Sequence, residues 1–394
     1  MVATHSLNST ASFAPVLYVA FELSSGQWKL ASTTARGQRA RVVSVQARNT
    51  ASVLREIARA KARFGVPESA VVFSCYEAGR DGFWLHRCLH HHGINNVIVD
   101  SSSIEVNRRA RRAKADGLDA VSLAGLLVRY CEGETNVWST VIVPDPVDED
   151  QRHMHRELDH LRRERTDHTN RVRGLLAAVG IKIAGKDILP DQLDLLRQWN
   201  GEPVPEGLKR RLLHELERME LLARQIKALE IEQAEQICDD QTRHVDKVRT
   251  LMGLKGVGQT SATILVYEFF GWRQFANRRE VGALAGLTPT PYQSGESNHE
   301  QGISKAGNVR VRWIMAELAW SWLHFQPKSP LSQWYQRRFG SGTSRMKRTG
   351  AVALARKLLI ALWRYVEQGE TLEQAEESAW ETKLKRVLRG RRPA

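Results

Sequence analysis

The sequence predicts an α/β domain at the N-terminus, a long helical middle and a mainly α-helical C-terminal domain. Three observations carry this. First, the apolar runs VLYVAFE at 16–22 and AVVFSCYE at 70–77 read as buried strands, each ending in a carboxylate. Second, Leu212, Leu216, Met219, Leu222, Ile226, Leu229 and Ile237 recur at helical spacings, the signature of an amphipathic helix or coiled coil. Third, the composition turns globular again from 248, with helical periodicity at 260–270, 278–286, 307–325 and 350–367.

Taken in order, residues 1–14 read as a loose leader. Strands at 27–34 and 40–46 follow turns containing Gly26 and Gly37. A helix over 50–64 presents Val53, Ile57 and Ala60 on one face, and a second helix falls at about 82–92, before a short strand at 95–100. Hairpin strands followed by strand–helix alternation indicate an α/β sheet over 15–148. The stretch 149–245 is helical, with 151–179 as the antiparallel or dimeric partner of 212–237, and Pro190, Pro203 and Pro205 punctuate the connection. Residues 246–375 form the C-terminal domain. The stretch 376–394 is a basic tail, and its end, KLKRVLRGRRPA, reads as mobile.

Lys and Arg outnumber Asp and Glu by 58 to 44, a formal charge of +14. Such an excess favours a polyanionic partner, because neutralising phosphates releases counterions. Cys75, Cys88, Cys131 and Cys238 form no CxxC pair, which argues against a zinc ribbon or a disulfide framework. His86, His90, His91 and His92 lie near Cys88, but with no partner motif they read as an exposed helix end. The apolar run 13–21 ends at Glu22 and is too short to span a bilayer, so no membrane partner and a cytoplasmic location are expected.

Four carboxylates hold informative places. Glu22 and Glu77 end the two apolar strands, where ligands of open α/β sheets gather. Asp116 and Asp119 in KADGLDA are three apart, which puts both on one face of a helix. Clustered carboxylates repel without a cation, and Mg²⁺ prefers oxygen ligands. Singly, each residue serves equally as a cap or a strand-end polar group. The basic run NRRARRAK at 107–114, with Arg108, Arg109, Arg111, Arg112 and Lys114, points to nucleic acid, or otherwise to a solvated helix face.

In the C-terminal half, GLKGVG at 253–258 has the form of a helix–hairpin–helix turn containing Lys255. Downstream, Ser294 precedes Gly295 in a polar loop, with Ser297 and Ser304 close by and Lys305, Arg310 and Arg312 following. A serine nucleophile needs exposure, activation and cationic stabilisation, all available here in principle. A glycine-rich hairpin without chemistry fits the same residues, and the chemistry alone does not choose among the serines.

The stretches YVAFELSSGQWKLA, YEAGRDGFW, RRAKADGLDA, LMGLKGVGQTSA and ALAGLTPTPYQSGESNHEQGISKAGNVRVR, in this order, resemble insertion-sequence transposases of the one-ten family, in particular its eleven-eleven subgroup. The resemblance implies a RuvC-like ribonuclease-H fold with a DEDD tetrad, a long helical linker and a transposase domain with a nucleophilic serine. By position the tetrad falls on Glu22, Glu77, Asp116 and Asp119, with Glu where the family normally has Asp at the first place, and the serine falls on Ser294. The resemblance further implies a homo-oligomer, dimer or tetramer, guided by a structured bridge RNA that pairs with donor and target DNA, in a bacterial, nucleoid-associated setting. On this reading Mg²⁺ sits at the tetrad, and Lys305, Arg310 and Arg312 meet phosphate or RNA. Two rival readings stand beside it: a metal-only nuclease of the junction-resolvase kind, and a non-catalytic nucleic-acid-binding remnant.

Overall fold

Buried strands flanked by helices on both faces organise the N-terminal unit, residues 15–143. The computed structural model describes residues 15–104, 116–134, 136–182, 190–294 and 297–389. Its strands are β1 (Val16–Glu22), β2 (Gln27–Thr33), β3 (Arg41–Gln46), β4 (Val71–Glu77) and β5 (Asn95–Val99), in the sheet order β3-β2-β1-β4-β5. β1, β2 and β3 form an antiparallel meander, whereas β4 and β5 run parallel to β1. The helices are α1 (Thr50–Phe64), α2 (Trp84–His91) and α3 (Asp116–Cys131).

β1 is a continuous apolar run because both its faces are covered. Leu17, Val19 and Phe21 pack with Val53 and Ile57 of α1 and with Leu85 and Leu89 of α2. Ala20 lies on the opposite face with Ala120, Leu123, Ala124 and Leu127 of α3. α1 starts where Asn49 accepts from the Ser52 backbone N–H (3.0 Å) and stops at Gly65, whose φ of 64° suits a residue without Cβ.

The second unit, residues 144–389, begins with α4 (Pro146–Ala177) and α5 (Glu206–Cys238). Leu158 and Leu161 pack on Leu222 and Ile226, while Val172 and Leu176 pack on Leu212 and Leu216. The two helices therefore run antiparallel within one chain, which selects the intramolecular form of the expected pairing. Polar ties reinforce the seam. His168 meets Glu215 at 2.6 Å, and Arg162 meets Glu230 at 2.7 Å.

The remaining helices are α6 (Val245–Met252), α7 (Gln259–Leu265), α8 (Arg278–Leu284), α9 (Val309–Phe325), α10 (Pro330–Phe339), α11 (Ser344–Gln368) and α12 (Trp380–Leu388). A π-helical turn, Val266–Phe270, continues α7, and β6 (Pro289–Ser294) and β7 (Ser297–Ile303) form an antiparallel hairpin. These helices share one core around Leu251, Phe270, Met315, Trp322, Leu358 and Leu362.

One sequence expectation changes here, and one open alternative resolves in shape: the polar segment around Ser294 is a β-hairpin, as the hairpin reading of these residues had it. The basic stretch after 376 includes an ordered helix, α12, whose Leu384 is buried in the core against which Trp380, Val387 and Leu388 also pack. These apolar residues fall at helical spacing, but the surrounding Lys and Arg dominate the composition. No helix among the described residues is long and apolar enough to cross a membrane.

The α4–α5 seam supplies a stability test. Leu222 is only 5% exposed, so Leu222→Ala removes buried methyl groups and leaves a cavity. Chemical denaturation should show a loss of about 2–5 kcal/mol. Stability within about 0.5 kcal/mol of the parent, the range of neutral surface changes, would mean the seam is not packed as described.

Candidate functional site

Parallel pairing of β1 with β4 sets Phe21 opposite Tyr76, so Glu22 and Glu77 leave adjacent strand ends side by side. Both carboxylates line one cleft of about 500 Å³, together with Tyr76 and the loop from Ala78 to Asp81. Glu22 also faces Lys29 across the antiparallel β1–β2 pair. Asp81 is a third carboxylate in the cleft, one that the sequence reading passed over. Arg48 pairs with it at 3.0 Å, so Asp81 serves to hold the loop.

Asp116 and Asp119 both belong to the first turn of α3, which packs against β1, β2 and β4. Asp119 is exposed. The side chain of Asp116 lies outside the described residues, and so do Arg108, Arg109, Arg111, Arg112 and Lys114. Glu22 and Glu77 offer the oxygen donors that a hard cation such as Mg²⁺ takes, and their shared cleft leaves room for its remaining waters. Among the described residues, no group of three or more His, Cys, Asp or Glu side chains is gathered as a metal site. Of the four carboxylates expected to form a tetrad, the described side chains bring Glu22 and Glu77 together.

In the second unit Ser294 ends β6 and pairs in register with Ser297 at the start of β7; the side chains of both lie outside the described residues. The base of this hairpin is closed by two glycines. Gly286 (φ 68°) and Gly307 (φ 80°) let the backbone cross so tightly that a Cβ would stand 2.0 Å from the Ala306 oxygen and 2.1 Å from the Leu284 oxygen, respectively. Arg312 donates to the carbonyls of Ala306 (3.2 Å) and Ala285 (3.4 Å), bracing the same crossing. Lys305 adopts the left-handed conformation there (φ 57°), and its N–H donates to the Gly286 oxygen (3.2 Å). Arg310 lies 4.0 Å from Asp159 of α4.

Asn308 caps α9 by accepting from the N–H groups of Arg310 and Val311. Its Nδ2 donates to Glu268 (3.1 Å), a carboxylate only 1% exposed on the π-helical turn. Arg156 donates to both Glu268 oxygens, Nε at 2.7 Å and Nη2 at 2.9 Å, and His155 Nε2 reaches Oε1 at 2.9 Å. Burial opposes the Glu268 charge. The hydrogen bonds from His155 and Arg156 outweigh it and hold the carboxyl well below the usual carboxylate range. Burial pushes the His155 pKa down against the pull of Glu268, so His155 is neutral at pH 7 and donates its Nε2–H. The sequence reading missed this network because Glu268 sits inside VYEFF, an apolar run.

The GLKGVG turn joins α6 to α7, with Gly256 at φ 87°. Lys383 of α12 donates to the carbonyls of Met252, Leu254 (2.7 Å) and Val257 (2.8 Å), and burial lowers its pKa to about 8. Lys255 is ion-paired with Glu376. A groove of about 1100 Å³ is lined by the turn, Lys383 and Phe325.

Comparison with known proteins gives a consistent result. Residues 248–334 match the model of the family described as Transposase IS116/IS110/IS902. The chain is similar to the putative transposase y4rJ of Sinorhizobium fredii, with 39% identity over 380 residues, 91% of this chain and 94% of that protein. It is also similar to the transposase for insertion sequence element IS1328 of Yersinia enterocolitica, with 28% identity over 234 residues, 57% of this chain and 66% of that protein.

The Glu268 network predicts acid sensitivity. The lowered His155 pKa adds stability that is complete above its unfolded value near 6.5 and is lost as pH falls below it. The lowered Glu268 pKa adds stability that starts to fall away below about 4.3. Thermal melting of the parent should decline in both windows. At pH 7, Glu268→Gln should cost about 1.5–3 kcal/mol, because the partly exposed Arg156 loses its charged hydrogen-bond partner, and should flatten the lower window. A variant as stable as the parent with the same pH profile would show that the network does not hold the unit together.

Proposed function

The chain belongs to the IS116/IS110/IS902 transposase family, and from that membership we propose that it is a DNA strand-transfer enzyme acting through Ser294 and an acidic metal site. The observation that carries the reading is the pair Glu22 and Glu77, side by side in one cleft at the ends of adjacent parallel strands. The β3-β2-β1-β4-β5 order, an antiparallel meander continued by parallel strands, supports a RuvC-like ribonuclease-H fold for this unit.

In this reading Ser294 attacks a DNA phosphate. Its Oγ–P bond forms as one ester P–O bond of the strand breaks, the serine proton leaves to a base or solvent, and the departing strand leaves as a hydroxyl. One phosphate ester replaces another, so the link can be reversed to join a new strand end. Mg²⁺ at Glu22 and Glu77, completed by Asp116 and Asp119, would stabilise charge on the attacking and leaving oxygens. Arg312 and the glycine crossing fix the hairpin that carries Ser294, so its tip starts from a rigid base. The +14 charge and the 107–114 basic run support binding of donor and target DNA and of a structured bridge RNA. The subgroup assignment, RNA guidance and assembly as a dimer or tetramer are parts of the same proposal.

The test uses purified protein with its co-purified RNA, labelled DNA and Mg²⁺, resolved on denaturing gels. Ser294→Ala should lose the protein–DNA adduct and strand exchange while still binding nucleic acid. Ser297→Ala should retain substantial activity. Asp119→Ala should abolish cleavage in a folded protein. Cleavage by Ser294→Ala at the parent's rate, with no adduct from either, would favour metal-only hydrolysis.

A further inference from the structure

From Leu318 to Val366 the chain contains no Asp or Glu but nine Lys and Arg residues. This run covers α10 and all of α11 but its last two residues; α11 and the second half of α10 lie outside the 248–334 stretch matched by the family model. Five of its cations are exposed around one connection: Arg337 and Arg338 in the last turn of α10, and Arg345, Lys347 and Arg348 in the first two turns of α11. None of the five forms an ion pair among the described residues. Elsewhere in this unit, exposed arginines commonly meet carboxylates, as Arg163 and Arg224 do.

The two helices are held as a rigid pair. Gly350 brings α11 so close to α10 that a Cβ there would stand 2.4 Å from the Phe339 ring, and the Tyr335 hydroxyl donates to the Lys347 carbonyl (3.1 Å). Burial of α11 begins at Gly350, whereas every residue from 343 to 349 is exposed. The exposed first two turns thus extend about 9 Å at 1.5 Å per residue, comparable with the depth of a B-DNA major groove, about 8.5 Å. Met346, 48% exposed, adds an apolar contact suited to a thymine methyl.

We propose that the α10–α11 pair is a duplex-DNA docking surface, with the start of α11 at the major groove, Arg345, Lys347 and Arg348 on the phosphates of its rim and Arg337 and Arg338 on the flanking backbone. Two helices joined by a short glycine-containing turn present a helix to DNA in this way. An RNA duplex is the poorer partner, since its major groove is too deep and narrow for side chains to read. The inference rests on the strand-transfer reading only in taking DNA as the partner. Its test measures binding without chemistry.

The experiment compares full-length Ser294→Ala with the same protein carrying Arg345→Gln, Lys347→Gln and Arg348→Gln. Anisotropy titrations use a B-form DNA duplex and, separately, an RNA duplex across a range of salt. Each lost phosphate contact should lower the log–log salt slope by about 0.9, so the triple variant should fall by about 2 to 3 on DNA and stay unchanged on RNA. Thermal melting should match the parent. If the triple variant unfolds, Arg345→Gln alone should lower the slope by about 1. An unchanged slope on DNA overturns the proposal, and so does an equal fall on RNA. Loss of Ser294 chemistry does not enter this readout, so the two proposals fail separately.

Discussion

A buried negative charge at Glu268 constrains the whole second unit. A carboxylate at 1% exposure is tolerable only when its oxygens are fully engaged, and Arg156, His155 and Asn308 do this from two directions. Arg156 and His155 come from α4, so the long helical pair is tied to the core of the globular helices. Asn308 is the cap of α9 and directly follows Gly307, the pivot of the serine hairpin. The charge thereby fixes the point from which the hairpin springs. The π-helical turn contributes as well. Its wider winding, of a kind that often marks functional sites, places Glu268 among buried aromatic neighbours.

The N-terminal unit depends on a different constraint, the covering of β1 on both faces. That covering makes β1 legible as a continuous apolar run and sends Glu22 beyond it at the strand's end. The helix over 50–64 was readable from its apolar face of Val53, Ile57 and Ala60, and the structure caps it with Asn49 and Gly65. The DxxD spacing puts two carboxylates on one face where it falls on a helix, and both residues lie at the start of α3. Asp81 escaped notice because its place in the cleft depends on a loop folded back by Arg48, a contact 33 residues away in sequence.

Legibility fell where a local pattern conflicted with long-range packing. TPTPYQS carries two prolines and reads as loop, yet Pro289 and Pro291 lie on a two-stranded ribbon, where edge positions spare a missing N–H. Glu268 looked like an interruption in an apolar run, and nothing local names its partners on α4. The α12 helix was hidden by its own charge, since one buried leucine and a lysine aimed at three carbonyls decide its position. The antiparallel fit of α4 and α5 was half legible: the stripe was clear, and the choice between one chain and two was not.

Under the proposed strand-transfer function one chain carries two chemistries: carboxylates at paired strand ends, and a serine on a braced hairpin that becomes bonded to DNA. Peptide mass spectrometry of the protein after reaction with DNA, followed by nuclease digestion of the bound strand, reads that bond directly. A nucleotide should be attached through phosphate to Ser294, on the peptide that follows Arg279 and ends at Lys305. A nucleotide on any other residue, or cut strands with no modified peptide, would contradict the proposed function.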